Sequence, residues 1–228
     1  MVAVGSGHQP NYGFKILHGR GYEQAKELLG AAFAGILIHD GWRSYYKFDF
    51  AQHQSCLRHL INRCNEMIKV ATPGGALFPA KVNDLLLKSL DIRDRYLESK
   101  ISQHGLAVAR GRLEAGLERL LEPRYRLAEN QRLANHLNHE FNHLFTFLKW
   151  PGLEATNWRG EQAIRPAVVT RKVWGGNRNE VGKHTQEVLM SVLRTTRQRN
   201  QQPIPLLAHL LRATRPSVLP LHRSPSPT

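Results

Sequence analysis

The spacing of apolar and polar positions changes period along the chain, and each change predicts an element. Residues 2–4 and 12–17 read as short strands joined by the turn-rich stretch GSGHQPN, which predicts a hairpin. YEQAKELL, residues 22–29, has helical spacing, and residues 34–39 form a short, fully apolar run ending at Asp40-Gly41, which predicts a buried strand. In HQSCLRHLINRCNEMI, residues 53–68, Cys56, Leu60, Cys64 and Met67 or Ile68 fall on one stripe, predicting an amphipathic helix that the break TPGG closes.

From 81 to 121 the pattern is helical and heavily charged, which predicts two long helices packed as a hairpin and separated near Gln103-His104-Gly105. Pro123 interrupts it. Residues 128–148 then carry Leu133, Leu137, Phe141, Leu144 and Leu148 at three- and four-residue steps, so a further helix is expected. After Trp150-Pro151-Gly152, residues 167–174 are β-prone and alternate, and residues 183–199 read as a helix. The tail from Gln201 holds six of the twelve prolines, with a short helix expected at 206–212 and disorder in HRSPSPT. These elements divide the chain into residues 1–70 and 151–200, an α/β core in two parts, the helical segment 71–150 between them, and a Pro-rich basic tail, 201–228.

Composition narrows the class. The longest apolar stretch, residues 28–38, is 11 residues even with its glycines and alanines counted, short of the roughly 20 that span a bilayer. No signal-peptide pattern opens the chain, so a cytoplasmic protein is expected, with Cys56 and Cys64 as free thiols. Lys and Arg number 32 against 18 acidic residues, and of the net +14, +9 lies in residues 159–228. Such an excess favours a polyanionic partner, because each cation set on a phosphate releases condensed counterions. A generally basic surface with no nucleic-acid role is the alternative.

Two segments carry a family resemblance. LIHDGWRSYYKF with AQHQSCLRHLINRC, and LFTFLKWPGLEATNWRGEQAIRPAVVTRKVWGGNR with GKHTQEVLMSVLRTTRQ, resemble the catalytic part of bacterial insertion-sequence transposases of the IS66 family. The resemblance runs from about Gly19 to Arg212. It implies an RNase H-like α/β core interrupted by a long helical insertion, and an Asp, Asp, Glu triad that binds two divalent ions, Mg²⁺ or Mn²⁺, and cuts and joins DNA. DNA is the implied partner, with a homo-oligomer in the transposition complex and no membrane.

On that resemblance Asp40 matches the family's second Asp and Glu161, in TNWRGEQAIRP, its Glu; the helical insertion accounts for their wide separation. The first Asp has no counterpart, since residues 1–39 contain no Asp. The core is therefore expected to be incomplete at its N-terminal strand, as in the downstream part of a transposase, and the chain is expected to be inactive alone. A non-catalytic DNA-binding remnant is the competing reading.

Each candidate also has a plainer use. Mg²⁺ takes hard oxygen ligands from one or two protein carboxylates plus phosphate, and two ions clamp the attacking and leaving oxygens; yet an Asp-Gly pair after a strand is a turn signal in itself. Glu161 could equally complement a helix N-terminus. Asn157, Arg159, Arg165, Arg171, Lys172 and Arg178 are candidate phosphate contacts, or a solvated basic face. Gly175-Gly176 would admit a DNA strand, or make an ordinary turn. Zinc at His53, Cys56 and His59 is disfavoured, because three ligands along one helix are too spread for one ion. His136, His139 and His143 read as the polar edge of a helix beside Glu140. Trp42, Tyr45 and Tyr46 could stack on bases, with core packing the favoured use.

Overall fold

The computed structural model describes residues 2–4 and 13–212; the predicted hairpin turn 5–11, the first residue of the strand expected at 12–17 and the tail beyond 212 lie outside them. The chain forms two compact units: Met1–Gly19 with Trp158–Thr228, and Arg20–Asn157. Helices predominate in both.

In the unit Arg20–Asn157, helix α1 (Tyr22–Leu29) leads to β3 (Ile36–His39), a 3-10 turn (Arg43–Lys47), β4 (Gln52–Ser55) and α2 (Leu57–Val70). The helical block follows as α3 (Leu77–Leu97), α4 (Gln103–Leu121), α5 (Ala128–Glu140), a 3-10 turn (Phe141–His143) and α6 (Thr146–Lys149). The expected α3–α4 hairpin is present. It turns at Ser99, whose φ is +58°, and restarts where the Ser102 hydroxyl accepts the Gly105 N–H at 3.1 Å as an N-cap. Its core is the shared apolar face of α2 to α6, with Leu57, Val82, Leu86, Leu117, Leu133, Leu137 and Leu144 fully buried. Burying a side chain of this size is worth about 1.5–3 kcal/mol, so this block supplies most of the unit's cohesion.

Two expectations need correcting here. Residues 53–68 are not one helix: His53 to Ser55 lie in β4, which pairs in parallel with β3 (Leu37 opposite His53), and the helix begins only at Leu57. Residues 128–148 are likewise broken, by the 3-10 turn at Phe141–His143.

Strand β4 is polar yet buried from His53 to Ser55, which hides it from a hydropathy reading. Gln54, fully buried, donates to the Leu144 carbonyl at 3.0 Å and accepts the Phe147 N–H at 2.8 Å. Thr146 Oγ1 donates to the His53 carbonyl at 2.7 Å, and Trp150 Nε1 to Gln52 Oε1 at 2.7 Å. Strand β3 is apolar but only half-buried over Ile36–Ile38, since among the described residues β4 alone pairs with it.

The other unit joins an antiparallel pair, β1 (Val2–Val4) with β2 (Gly13–Lys15), to α7 (Trp158–Trp174), α8 (Glu180–Gln198) and α9 (Pro203–Arg212). Helix α8 is fixed to β2 by the Ser191 hydroxyl, which accepts the Phe14 N–H at 2.9 Å, and by Glu187, which accepts that of Ile16 at 2.5 Å. The strand expected at 167–174 is the C-terminal half of α7. Its β-branched residues are outvoted by Ala163 and Ala167, one turn apart and both buried, which seat the helix by their small side chains. Among the described residues the strands form two two-stranded sheets, one in each unit.

Candidate functional site

Asp40 sits where the parallel ladder ends: the last rung is the Cys56 N–H donating to the His39 carbonyl at 2.7 Å. The chain then turns through Gly41, whose φ of +86° belongs to the left-handed region that glycine adopts freely. Asp40 Oδ1 accepts the Trp42 N–H at 3.1 Å, the Asx turn expected of an Asp-Gly pair. Its carboxylate is exposed at the C-terminal end of the strand. Turn-forming and ligand roles are thus compatible in one residue, since Oδ1 spends only one lone pair on the turn.

Behind this turn lies a buried polar web. The Gly41 N–H donates to His39 Nδ1 at 3.1 Å, so the ring proton resides on Nε2 and donates to His53 Nδ1, 3.1 Å away. Burial, with His53 beside it, pushes the His39 pKa down to about 4, so both rings are neutral at pH 7. Glu140, at the end of α5 and 1% exposed, accepts hydrogen bonds from the Tyr46 hydroxyl and the Ser55 hydroxyl. Burial pushes its carboxyl up, but those bonds, with His136 and His39 nearby, outweigh it and hold the pKa below the ordinary value.

Arg63 donates to His136 Nδ1 at 3.0 Å, while the rings of His139 and His143 lie 4.8 and 5.7 Å from that of Tyr46. Among the described residues of this unit no three His, Cys, Asp or Glu ligand atoms lie within 4.8 Å of one another. The arrangement is a hydrogen-bonded support: His136 and His143 are half-buried within it, His143 against His53 and Tyr46, while His139 is exposed at its edge against Tyr46.

The remaining candidates in this unit are placed as follows. His53 is on β4, Cys56 precedes α2 and accepts the Asn157 N–H at 3.2 Å, and His59 is in the first turn of α2. Tyr45 stacks on His39 with ring centres 5.4 Å apart. Trp42 lies under the Arg20 guanidinium at 3.9 Å and donates to the Arg20 carbonyl at 3.0 Å.

Glu161 belongs to the other unit, in the first turn of α7, and is half-buried. On the same helix Arg159 and Arg165 line a groove of about 700 Å³ with Arg194 and Arg197 of α8. Arg171 and Lys172, at the end of α7, and Arg178, in the following loop, are exposed and stand outside that groove. Gly175 and Gly176, with φ of +84° and +103°, close the helix.

One backbone detail organises the groove. Pro166 lies inside α7 and has no N–H to give the Gln162 carbonyl; Arg194 Nη2 donates to that carbonyl instead, at 3.3 Å. A sequence reading confined to α7 does not find Arg194 and Arg197. The signal available for them is an Arg pair three apart on the helix expected at 183–199.

The protein is mostly helical and presents a strand-end carboxylate and, separately, a helix carrying a Glu beside clustered arginines. The comparison with known families makes the class specific: the family described as Transposase IS66 family matches residues 2–185. The chain belongs to the IS66 transposase family, and DNA is the partner that membership implies. No curated protein and no solved structure matches it. No helix among the described residues is long and apolar enough to cross a membrane.

Proposed function

We propose that the chain is the DNA-cleaving and strand-transferring part of an insertion-element transposase, with an RNase H-like core and with Asp40 and Glu161 as metal ligands. The observation that carries this reading is Asp40: an exposed carboxylate held by an Asx turn at the C-terminal end of a parallel strand, in a chain matched by the family over residues 2–185. Two separate carboxylates are the hard-oxygen donor set suited to Mg²⁺ or Mn²⁺, which needs few protein ligands because water and phosphate complete its shell. Such ions, when bound, would supply charge stabilisation at the attacking and leaving oxygens of a phosphodiester. Asp40 and Glu161 would hold them. Arg159, Arg165, Arg171, Lys172, Arg178 and Asn157 would hold the DNA backbone, and copies of the chain would assemble on element ends.

Residues 1–39 hold no Asp, so this chain supplies two carboxylates of the expected three and is catalytically silent or nearly so by itself. That same fact favours a second reading, a DNA-binding remnant with no metal chemistry. Two measurements on the purified chain separate them. The transposase reading expects Mn²⁺ binding, followed by the resonance of the free ion, to weaken in Asp40→Ala and in Glu161→Ala; the remnant expects both variants to match the parent. Metal-dependent nicking of supercoiled DNA should be at trace level, and robust nicking abolished by Asp40→Ala would overturn the silence while supporting the site.

A further inference from the structure

We propose that the groove between α7 and α8 holds unpaired DNA, gripping phosphates with arginines and stacking a base on Trp158. The inference rests on the transposase reading, and it goes beyond it by assigning a strand state and a stacking residue.

Four of the ten residues that line the groove are arginines, Arg159, Arg165, Arg194 and Arg197, and none is acidic. That charge pattern fits a polyanion. Yet the lining is not only charged: Ala163, Pro166 and Val169 give it an apolar floor, and Trp158 at its helix-start end is 48% exposed. A duplex hides the faces of its bases and offers a protein wall phosphate, sugar and base edges but no stacking surface. An unpaired strand offers both phosphates and π faces, and aromatic side chains set within a basic groove are the usual means of holding it.

The groove's geometry is prepared. Trp158 opens α7, and Gln162, Arg165 and Val169 follow at three- and four-residue steps, so one face of the helix carries stacking residue, arginine and apolar floor in line. Across from it, Arg194 donates to the Gln162 carbonyl that Pro166 leaves without a helical partner, so its planar guanidinium is already held in the lining and loses less freedom when phosphate arrives.

The test is fluorescence anisotropy of the full chain at low salt with three labelled probes of equal length: a thymidine oligonucleotide, a duplex, and an oligonucleotide with abasic sites throughout. The thymidine strand should bind tightest. Stacking on one aromatic ring is worth about 1–3 kcal/mol per base, which converts to a loss of at least about 5-fold for Trp158→Ala on that strand. The abasic strand should show little loss with the same variant, and Trp158→Phe should retain most of the affinity. Arg194→Ala with Arg197→Ala should lower the salt slope by about 1.4, at 0.7 per single-strand phosphate contact. Equal binding of thymidine and abasic strands, or a Trp158→Ala variant indistinguishable from the parent, overturns the proposal while leaving the transposase reading intact. Failure of the chain to bind any of the probes overturns both.

Discussion

Removing the Glu140 carboxylate should unfold the support behind Asp40 more readily than any exposed charge in the protein could. The side chain is 1% exposed and is the common acceptor for Tyr46 and Ser55. In Glu140→Ala the Ser55 hydroxyl, itself buried, and the Tyr46 hydroxyl lose their acceptor at once, at about 1–3 kcal/mol for each donor left unsatisfied. Relief of the carboxylate's own desolvation offsets part of this, so a net cost of about 3 kcal/mol is expected at pH 7. Followed by far-UV circular dichroism, that should appear as a urea midpoint lower by roughly 1–2 M.

A double-mutant cycle gives the sharper reading. Glu140→Gln keeps the shape but turns one oxygen into an NH₂ that faces a donor; adding Tyr46→Phe removes that conflict, so the pair should cost less than the sum of its members by about 1 kcal/mol or more. The pH sign follows from the depressed pKa. A carboxyl ionised more readily in the fold stabilises it above the unfolded value near 4.5, and that contribution disappears as pH falls through the folded value, so the Glu140→Ala penalty should shrink in acid. A cost under 1 kcal/mol at pH 7, or an additive cycle, would refute the hydrogen-bonded web.

Two further outcomes are expected. Gly41→Ala should cost about 1–2 kcal/mol from backbone strain at φ +86°, because the added Cβ meets only ordinary contacts at 3.5 and 3.6 Å; an unchanged urea midpoint would show that the turn is not left-handed. The imidazoles of His39 and His53, buried, and of His136 and His143, half-buried, all have pKa values lowered chiefly by desolvation. Their neutral forms therefore stabilise the fold fully above 6.5, and that contribution is lost as pH falls below it. For His39, from 6.5 to about 4, the loss is roughly 3 kcal/mol in full and about 2 at pH 5. Equal urea midpoints at pH 7.5 and 5.0 would contradict this.

What the sequence made legible followed from apolar periodicity and turn chemistry. The α3–α4 hairpin, β3 and the Asp40-Gly41 turn could be read because helical periodicity, a short apolar run and an Asp-Gly pair state their use locally. Strand β4 could not, because QHQS is buried by hydrogen bonding, not by hydrophobicity: Gln54 satisfies both ends of its amide on the chain at 144–147. The β-prone run AVVTRKVW misled for the opposite reason, as side-chain propensity there is overridden by the seating of Ala163 and Ala167. Glu140 was hidden by context. A Glu among histidines on a helix reads as a wet edge until residues about 85 and 94 positions away, Ser55 and Tyr46, are known to donate to it.

That last pair of contacts changes what the long helical block is for. A segment needed only to separate Asp40 from Glu161 in sequence could leave and return at any surface point. Here α5 of the block delivers Glu140 and His136 behind the Asp40-Gly41 turn, with His136 Nε2 and Glu140 Oε1 within 3.6 Å of where a Gly41 Cβ would stand. The last segment of the block, Leu144 to Trp150, is then stitched along β4 through Gln52, His53 and Gln54. Carboxylate turn, paired strand and helical block are thus one hydrogen-bonded body. A ligand at Asp40 would inherit its rigidity from the block's leucine core, where displacement costs several side chains' burial at once, and not from the half-buried strand that bears it.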